Sequence, residues 1–295
     1  MIFKGLYTAL VTPFDKQNNI HVESFKNLLN LQLKSQVAGV VPLGTTGESP
    51  TISKEEKKLI IKTTVEILKG KLPIIVGTGS YSTEQTIENT LQAESEGADA
   101  ALIVTPYYNK PTSEGIFKHF EAVSKSTKLP IIVYNIQGRS AKNIDTPTLK
   151  RLSDLPNIKA VKEASGNIEQ MVEVLDTVTH HRPDFTVLSG DDSLTLPLIA
   201  LGGHGVISVV SNLVPKQMND LVLSALKGDF ETARQIHFKL LKLFKTAFIE
   251  TNPIPIKAAM NLCGLDVGGY RLPLCDMEPK NFEVLSNVVK KMELL

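Results

Sequence analysis

Lys162, Tyr134, Arg139 and the run Gly44-Thr45-Thr46-Gly47-Glu48 are the residues whose types and placement could do chemistry. Each ends or succeeds a short apolar segment. A lysine amine in a partly dry pocket can attack a carbonyl and form a Schiff base. Strand side chains alternate, so Ile158, Ala160 and Lys162 are expected on one face and Lys159 and Val161 on the other. If the first face lines a barrel, Lys162 stands at its mouth. The other reading is a structural lysine paired with Glu163 or a helix end. Tyr134 could relay protons beside that amine, or cap the core with its hydroxyl on a backbone group. Gly44 to Glu48 offers backbone N–H groups and two hydroxyls to an anion such as a small carboxylate. No Gly-Lys-Ser/Thr comes after it, so it is not a P-loop, and it also reads as a turn into a helix starting near Ser53. Arg139 could clamp a second carboxylate through two parallel hydrogen bonds, or lie solvated in a loop.

Other clusters point to less. The six histidines, His21, His119, His180, His181, His204 and His237, show no metal-binding spacing, and none of them sits in an H-E-x-x-H motif. Asp191-Asp192 reads as a tight polar turn rather than a cation site. Gly202-Gly203-His204-Gly205 reads as a turn into a strand rather than an anion nest. No G-x-G-x-x-G succeeds a strand, so no dinucleotide is implied. No cofactor and no metal are expected.

These residues need a scaffold that gathers strand ends. Eight β-rich apolar runs recur: Leu6 to Val11, Gly39 to Leu43, Pro73 to Val76, Ala100 to Val104, Pro130 to Tyr134, Ile158 to Val161, Phe185 to Leu188 and Val206 to Val210. Most are nearly continuous in apolar residues, as suits parallel strands covered by helices. Helical spacing fills the gaps, best in Val22 to Gln36, Lys54 to Leu68 and Thr83 to Glu96, and Ser53 with Glu56 makes a capping box. Eight alternating units imply an α/β fold closed as a (β/α)8 TIM barrel; an open doubly wound sheet is the rival. After Val210 the pattern is helical, over Pro215 to Leu226, Asp229 to Phe248, Pro255 to Leu262 and Pro279 to Met292. The expected organisation is a barrel over 1–226 and a C-terminal helical region over 227–295.

Composition sets limits. The 295 residues are 42% hydrophobic and 21% charged, with 32 basic and 31 acidic side chains. Such a chain can bury a core, unlike a disordered one. Near-neutral charge argues against nucleic acid as the main partner. From Ser193 to Pro215 there is no charged residue, but glycines, prolines and polar residues interrupt the run, which reads as a buried helix, a turn and a buried strand rather than a membrane span. No signal-peptide pattern is present. Cys263 and Cys275 cannot form a disulfide framework, so a reducing cytoplasm is expected.

Taken together, Gly44-Thr45-Thr46-Gly47-Glu48, Thr105-Pro106-Tyr107-Tyr108-Asn109-Lys110-Pro111, Tyr134-Asn135, Gly138-Arg139, Lys162-Glu163-Ala164-Ser165-Gly166-Asn167 and Asn252-Pro253-Ile254-Pro255-Ile256-Lys257 resemble the dihydrodipicolinate synthase / N-acetylneuraminate lyase family of pyruvate-dependent class I aldolases. The resemblance spans essentially the whole chain. It implies a barrel with three C-terminal helices, assembled as a homotetramer, a dimer of dimers. It also implies a pyruvate Schiff base on Lys162, proton transfer by Tyr134, and a relay completed by Thr45 and by Tyr108 reaching in from a neighbouring subunit. Thr45 and Thr46 would hold the pyruvate carboxylate, Arg139 would receive the carboxylate of the second substrate, and Gly190 and Ile207 would line the site through their backbones. Arg139 favours the synthase branch, which condenses pyruvate with aspartate semialdehyde on the way to diaminopimelate and lysine. The alternatives are a lyase for a sugar-derived 2-keto acid such as N-acetylneuraminate, and a silent barrel that binds a keto acid or a protein partner.

The chain departs from the family pattern in two places. Gln137 replaces a usual proline two residues before Arg139, and Ser140 a usual threonine, which loosens the placing of that loop. Lysine-inhibited members bind lysine with a glutamate, an asparagine and histidines; the matching positions here are Gln85, Tyr81, Lys54 and Lys57. Lysine would meet like charge and lose a carboxylate partner. Activity measured against added lysine is therefore expected to show weak inhibition or none, and strong inhibition in the millimolar range would contradict this.

Overall fold

Eight strands alternate with helices along the chain: β1 Gly5–Ala9, α1 Val22–Lys34, β2 Gly39–Val41, α2 Lys54–Leu68, β3 Ile75–Gly77, α3 Thr83–Ser95, β4 Ala100–Val104, α4 Ser113–Ser126, β5 Ile131–Asn135, then α5 Gln137–Ser140 and α6 Thr146–Ser153. Next come β6 Ile158–Glu163, α7 Ile168–His181, β7 Thr186–Ser189, α8 Thr195–Ala200, β8 Gly205–Ser208 and α9 Pro215–Leu226. Three helices come last: α10 Phe230–Thr246, α11 Ile254–Leu262 and α12 Pro279–Lys291. The computed structural model describes residues 2–294; Met1 and Leu295, the outer bounds of the expected barrel and helical regions, lie outside the described residues.

The strands pair in parallel in the order β2-β1-β8-β7-β6-β5-β4-β3. The ring closes where Val40 bridges Ile74 and the Gly77 amide donates to the Pro42 carbonyl at 3.0 Å. This is the expected (β/α)8 barrel with C-terminal helices. Ser193 to Pro215 folds as anticipated into α8, a glycine turn and β8. No helix among the described residues is long and apolar enough to cross a membrane.

Alternation along the strands divides the core in two. Tyr7, Ala9, Val41, Ile75, Ala100, Leu102, Ile132, Tyr134, Ala160, Leu188 and Ile207 pack inside the barrel. Leu6, Val40, Val76, Ile103, Val133, Val161, Val187 and Val206 pack outside against the helices. Each fully buried aliphatic side chain contributes roughly 1.5–3 kcal/mol, which explains why the strands read as continuous apolar runs.

One detail of the alternation needs correcting. Ile131 is in register with Ile158, but Ile132 is in register with Ala160, so β6 carries an extra residue at Lys159. Such a bulge resets the pleat. Ile158 therefore joins the outer cluster rather than the inner face, and Lys159 reaches Asp184, Nζ to Oδ2 at 3.7 Å. Ala160 and Lys162 keep the inward alternation.

The C-terminal helices are locked to the barrel by buried charge. Lys257 on α11 and Glu48, from the loop after β2, have side chains 0% and 1% exposed, with Nζ 2.8 Å from Oε1. Lys257 also donates to the Thr12 carbonyl at 3.0 Å and to the Gly269 carbonyl, and the Arg271 amide donates to Glu48 Oε2 at 3.2 Å. Burial holds the Lys257 ammonium below the usual lysine range, with the Glu48 carboxylate acting against that. Nearby, Arg271 donates to Glu56 at 2.8 Å and to the Thr51 carbonyl at 2.9 Å; its hydrogen bond holds the Glu56 carboxyl down at about 2.

Removing one partner of such a pair strands the other charge in the core. Lys257→Met is expected to lower unfolding free energy by about 3–5 kcal/mol in denaturant titration, with part returned by adding Glu48→Gln. A loss below about 1 kcal/mol, the size of a surface pair, would contradict the anchoring role.

Candidate active site

Lys162 is 4% exposed, and it lies directly across from Tyr134 in the β5–β6 register. Its Nζ sits 4.2 Å from the centre of the Tyr134 ring. No carboxylate pairs with it among the described residues. Glu163, the partner of the structural reading, turns the other way: it accepts from the Ser165 amide at 2.7 Å, from Asn135 Nδ2 at 3.1 Å and from Gln170 Nε2 at 3.4 Å. The register explains this, since neighbours on a strand point to opposite faces. The result is a buried amine against an aromatic face, at the end of β6 where barrel enzymes place their working residues.

Gly190 fits this amine closely. A Cβ there would lie 2.5 Å from Ala164 Cβ and 3.1 Å from Lys162 Cε, so the lysine stem occupies the space a side chain would need. The Gly190 amide donates to the Glu163 carbonyl at 2.7 Å. Ile207 is fully buried in the inner layer with Ala160 and Leu188. Thr105, after β4, donates to the Tyr134 carbonyl through both its amide and its hydroxyl, at 3.0 Å each, and so fixes the end of β5.

The loop after β2 forms a tight turn. Gly47 and Glu48 amides donate to the Gly44 and Thr45 carbonyls at 3.1 Å, and Thr12 holds the Gly47 carbonyl at 2.7 Å. Glu48 has φ +55 and is buried, a strained conformation for a residue with a Cβ, maintained by its pairing with Lys257. The Thr45 and Thr46 amides have no partner among the described residues. That leaves two N–H donors and two hydroxyls in one turn, a fitting receptor for a carboxylate. Ser53 then caps α2 in the expected capping box with Glu56.

A cavity of about 530 Å³ opens above these residues, with Thr45, Tyr134, Arg139, Ser140 and Tyr107 in its wall. Lys162 and Thr46 are buried beside it rather than lining it. Arg139, on the short α5, donates through Nη2 to the Asn252 carbonyl at 3.0 Å and through Nη1 to Thr251 Oγ1 at 3.4 Å. Its loop, with Gln137 in place of proline, is thus tied to the chain just before α11. Lys57, Tyr81 and Gln85, three of the four positions matched to lysine binding, line the outer part of the same cavity; Lys54 does not.

Tyr108 is the exception. It is 90% exposed with φ +69, so one chain does not bring it to Lys162. Its neighbour Tyr107 faces the cavity, stacked edge-on against Tyr81 at 5.6 Å between centroids, and burial pushes its phenol up. Asp192 is buried and accepts from the Val209 and Val210 amides at 3.1 Å, and Asp191 caps the turn, so this pair forms the expected polar turn; burial raises the Asp192 carboxyl to about 6.

The whole-chain comparisons agree with this fold. The model of the dihydrodipicolinate synthetase family matches residues 2–292. The chain belongs to this family. A Protochlamydia amoebophila protein named 4-hydroxy-tetrahydrodipicolinate synthase is 57% identical over 99% of this chain and 97% of its own length. The crystal structure of a dihydrodipicolinate synthase from Thermotoga maritima superposes with a TM-score of 0.98, at 45% identity and full coverage of both chains. A monomeric dihydrodipicolinate synthase variant superposes with a TM-score of 0.97, at 45% identity, covering 99% of this chain and 98% of that one.

Within the family frame, two residues that the sequence marks without a role acquire one. Asn252 touches both Thr46 and Arg139, and Lys257 buries the charge of Glu48. Their only sequence signal is the pair of polar residues at the two ends of the Asn252-to-Lys257 motif.

Proposed function

We propose that the chain condenses pyruvate with aspartate semialdehyde through an imine on Lys162, the reaction of a 4-hydroxy-tetrahydrodipicolinate synthase. The activity is that of a pyruvate-dependent lyase-type aldolase, and it belongs to diaminopimelate and lysine biosynthesis. The single observation that carries the residue assignment is the buried Lys162 amine, free of any carboxylate among the described residues and seated on the Tyr134 ring.

This reading gives each residue a step. The Lys162 amine adds to the pyruvate ketone; the carbinolamine loses water to give the imine, and loss of a methyl proton gives the enamine. The Tyr134 hydroxyl takes and returns protons in these steps. Thr45 and Thr46 receive the pyruvate carboxylate in the turn after β2, with Gly190 and Ile207 shaping the wall beside the lysine. The enamine carbon then attacks the aldehyde, whose carboxylate Arg139 receives at the outer side of the cavity. The aldehyde oxygen takes a proton as the lysine imine re-forms, and attack of the aldehyde substrate's own amine on that imine closes the product ring and frees Lys162. Holding both partners in place supplies much of the rate. The full-length relatives named as synthases favour this reading over the sugar-acid lyase.

Tyr108 completes the relay from a second copy of the chain, in a homotetramer built as a dimer of dimers. Its support is the family resemblance, together with an aromatic side chain that stands 90% exposed in the single chain. A cytoplasmic site of action is part of the same proposal.

Borohydride with pyruvate is expected to trap the protein irreversibly at Lys162. Lys162→Ala should abolish trapping and Lys159→Ala should keep it; the reverse pattern would overturn the assignment. Tyr108 is tested by co-assembling Lys162→Ala with Tyr108→Phe chains, each weakly active alone. Mixed assemblies should recover a substantial share of activity, because one site then has both groups. No recovery in confirmed mixed assemblies would exclude donation between subunits.

A further inference from the structure

Asn252 joins the two groups that receive the substrates' carboxylates. Its side-chain Nδ2 donates to Thr46 Oγ1 at 2.9 Å, and its main-chain carbonyl accepts from Arg139 at 3.0 Å. It is 5% exposed. It precedes α11, whose Lys257 is fixed to Glu48, and Glu48 closes the turn that carries Thr46. Asn252 is therefore held in place relative to Thr46 from both ends of the contact.

A threonine hydroxyl has one hydrogen and two lone pairs. The amide of Asn252 takes a lone pair, and no acceptor among the described residues takes the hydrogen. That hydrogen is left to donate. A substrate carboxylate offers only acceptors, so a hydroxyl in this state suits it and the opposite orientation does not.

We propose that Asn252 is a positioning residue for the reaction. Its amide keeps the Thr46 hydroxyl turned as a donor toward the pyruvate carboxylate, while its carbonyl keeps Arg139 over the cavity. The register between the two carboxylate sites is thereby set by one residue of the C-terminal helical region. The inference rests on the Lys162 imine reading, and the experiment separates the two.

The test compares wild type, Asn252→Asp, Asn252→Ala, Thr46→Val and Thr46→Val/Asn252→Asp. It reads the pyruvate concentration for half-maximal borohydride trapping, steady-state KM and kcat, and thermal midpoints. Asn252→Asp is near-isosteric but puts an acceptor where the donor was, so it carries the test if the alanine variant folds poorly. It is expected to raise the half-saturating pyruvate concentration roughly tenfold or more, as for a lost hydrogen bond to a charged group, with trapping still complete at saturation. Asn252→Ala should raise it less and leave KM for the aldehyde in place, because the backbone carbonyl remains. In the Thr46→Val background the Asp substitution should add no further rise, since contacting residues couple. An unchanged half-saturation in Asn252→Asp would overturn the proposal. So would an equal rise with and without the Thr46 hydroxyl, the pattern of a merely structural role. Absence of trapping in wild type would instead overturn the Lys162 assignment on which it stands.

Discussion

The buried ion pair between Lys257 and Glu48 is the interaction on which the placing of the site depends. Burying two charges costs several kcal/mol each, and only close geometry with further hydrogen bonds offsets this. Both conditions are met: the pair is 2.8 Å long, Thr12 and Gly269 carbonyls take other lysine protons, and the Arg271 amide donates to the second carboxylate oxygen. The consequence is geometric. The turn that presents Thr45 and Thr46 cannot shift without breaking that pair, and neither can the chain before α11 that meets Thr46 and Arg139. The C-terminal helices are thus part of how a barrel loop is held, and the barrel alone would leave that loop half supported.

The two buried lysines make an instructive contrast. Lys257 has a carboxylate, carbonyl acceptors and the Phe14 ring at 4.5 Å, so its amine is fully engaged. Lys162 has an aromatic face and a glycine that clears its stem, and no carboxylate among the described residues. The first arrangement commits the charge to cohesion. The second leaves a lone pair for chemistry once the proton is lost, which is what a nucleophilic amine requires. Burial is nearly equal in the two, so the partners, not the burial, separate the structural lysine from the proposed nucleophile.

Much of this is legible in the sequence. Strong, repeated signals carry through to the fold: eight apolar runs mark eight strands, the Ser53–Glu56 capping box forms, and Lys162, Tyr134, Thr45 and Arg139 stand out because each lies at or just beyond the end of an apolar run. Alternation alone misplaces the face of Ile158, because a single-residue bulge has no hydrophobic signature and Lys159 looks like any strand residue. The roles of Asn252 and Lys257 stay hidden because their partners lie about two hundred residues earlier, and periodicity carries no information about such contacts. The role proposed for Tyr108 comes from family resemblance; the single chain leaves it in solvent, and spacing along the sequence says nothing about a neighbouring subunit.

The most direct test of the Lys162 imine chemistry and its second substrate is turnover of pyruvate with aspartate semialdehyde, monitored through a coupled dihydrodipicolinate reductase. Robust turnover in wild type, lost in Lys162→Ala and impaired mainly in aldehyde KM by Arg139→Ala, is the predicted result. No turnover, in a protein that still releases pyruvate from sugar-derived 2-keto acids, would contradict it: the imine chemistry would stand, and the assignment of Arg139 to the aldehyde's carboxylate would fall.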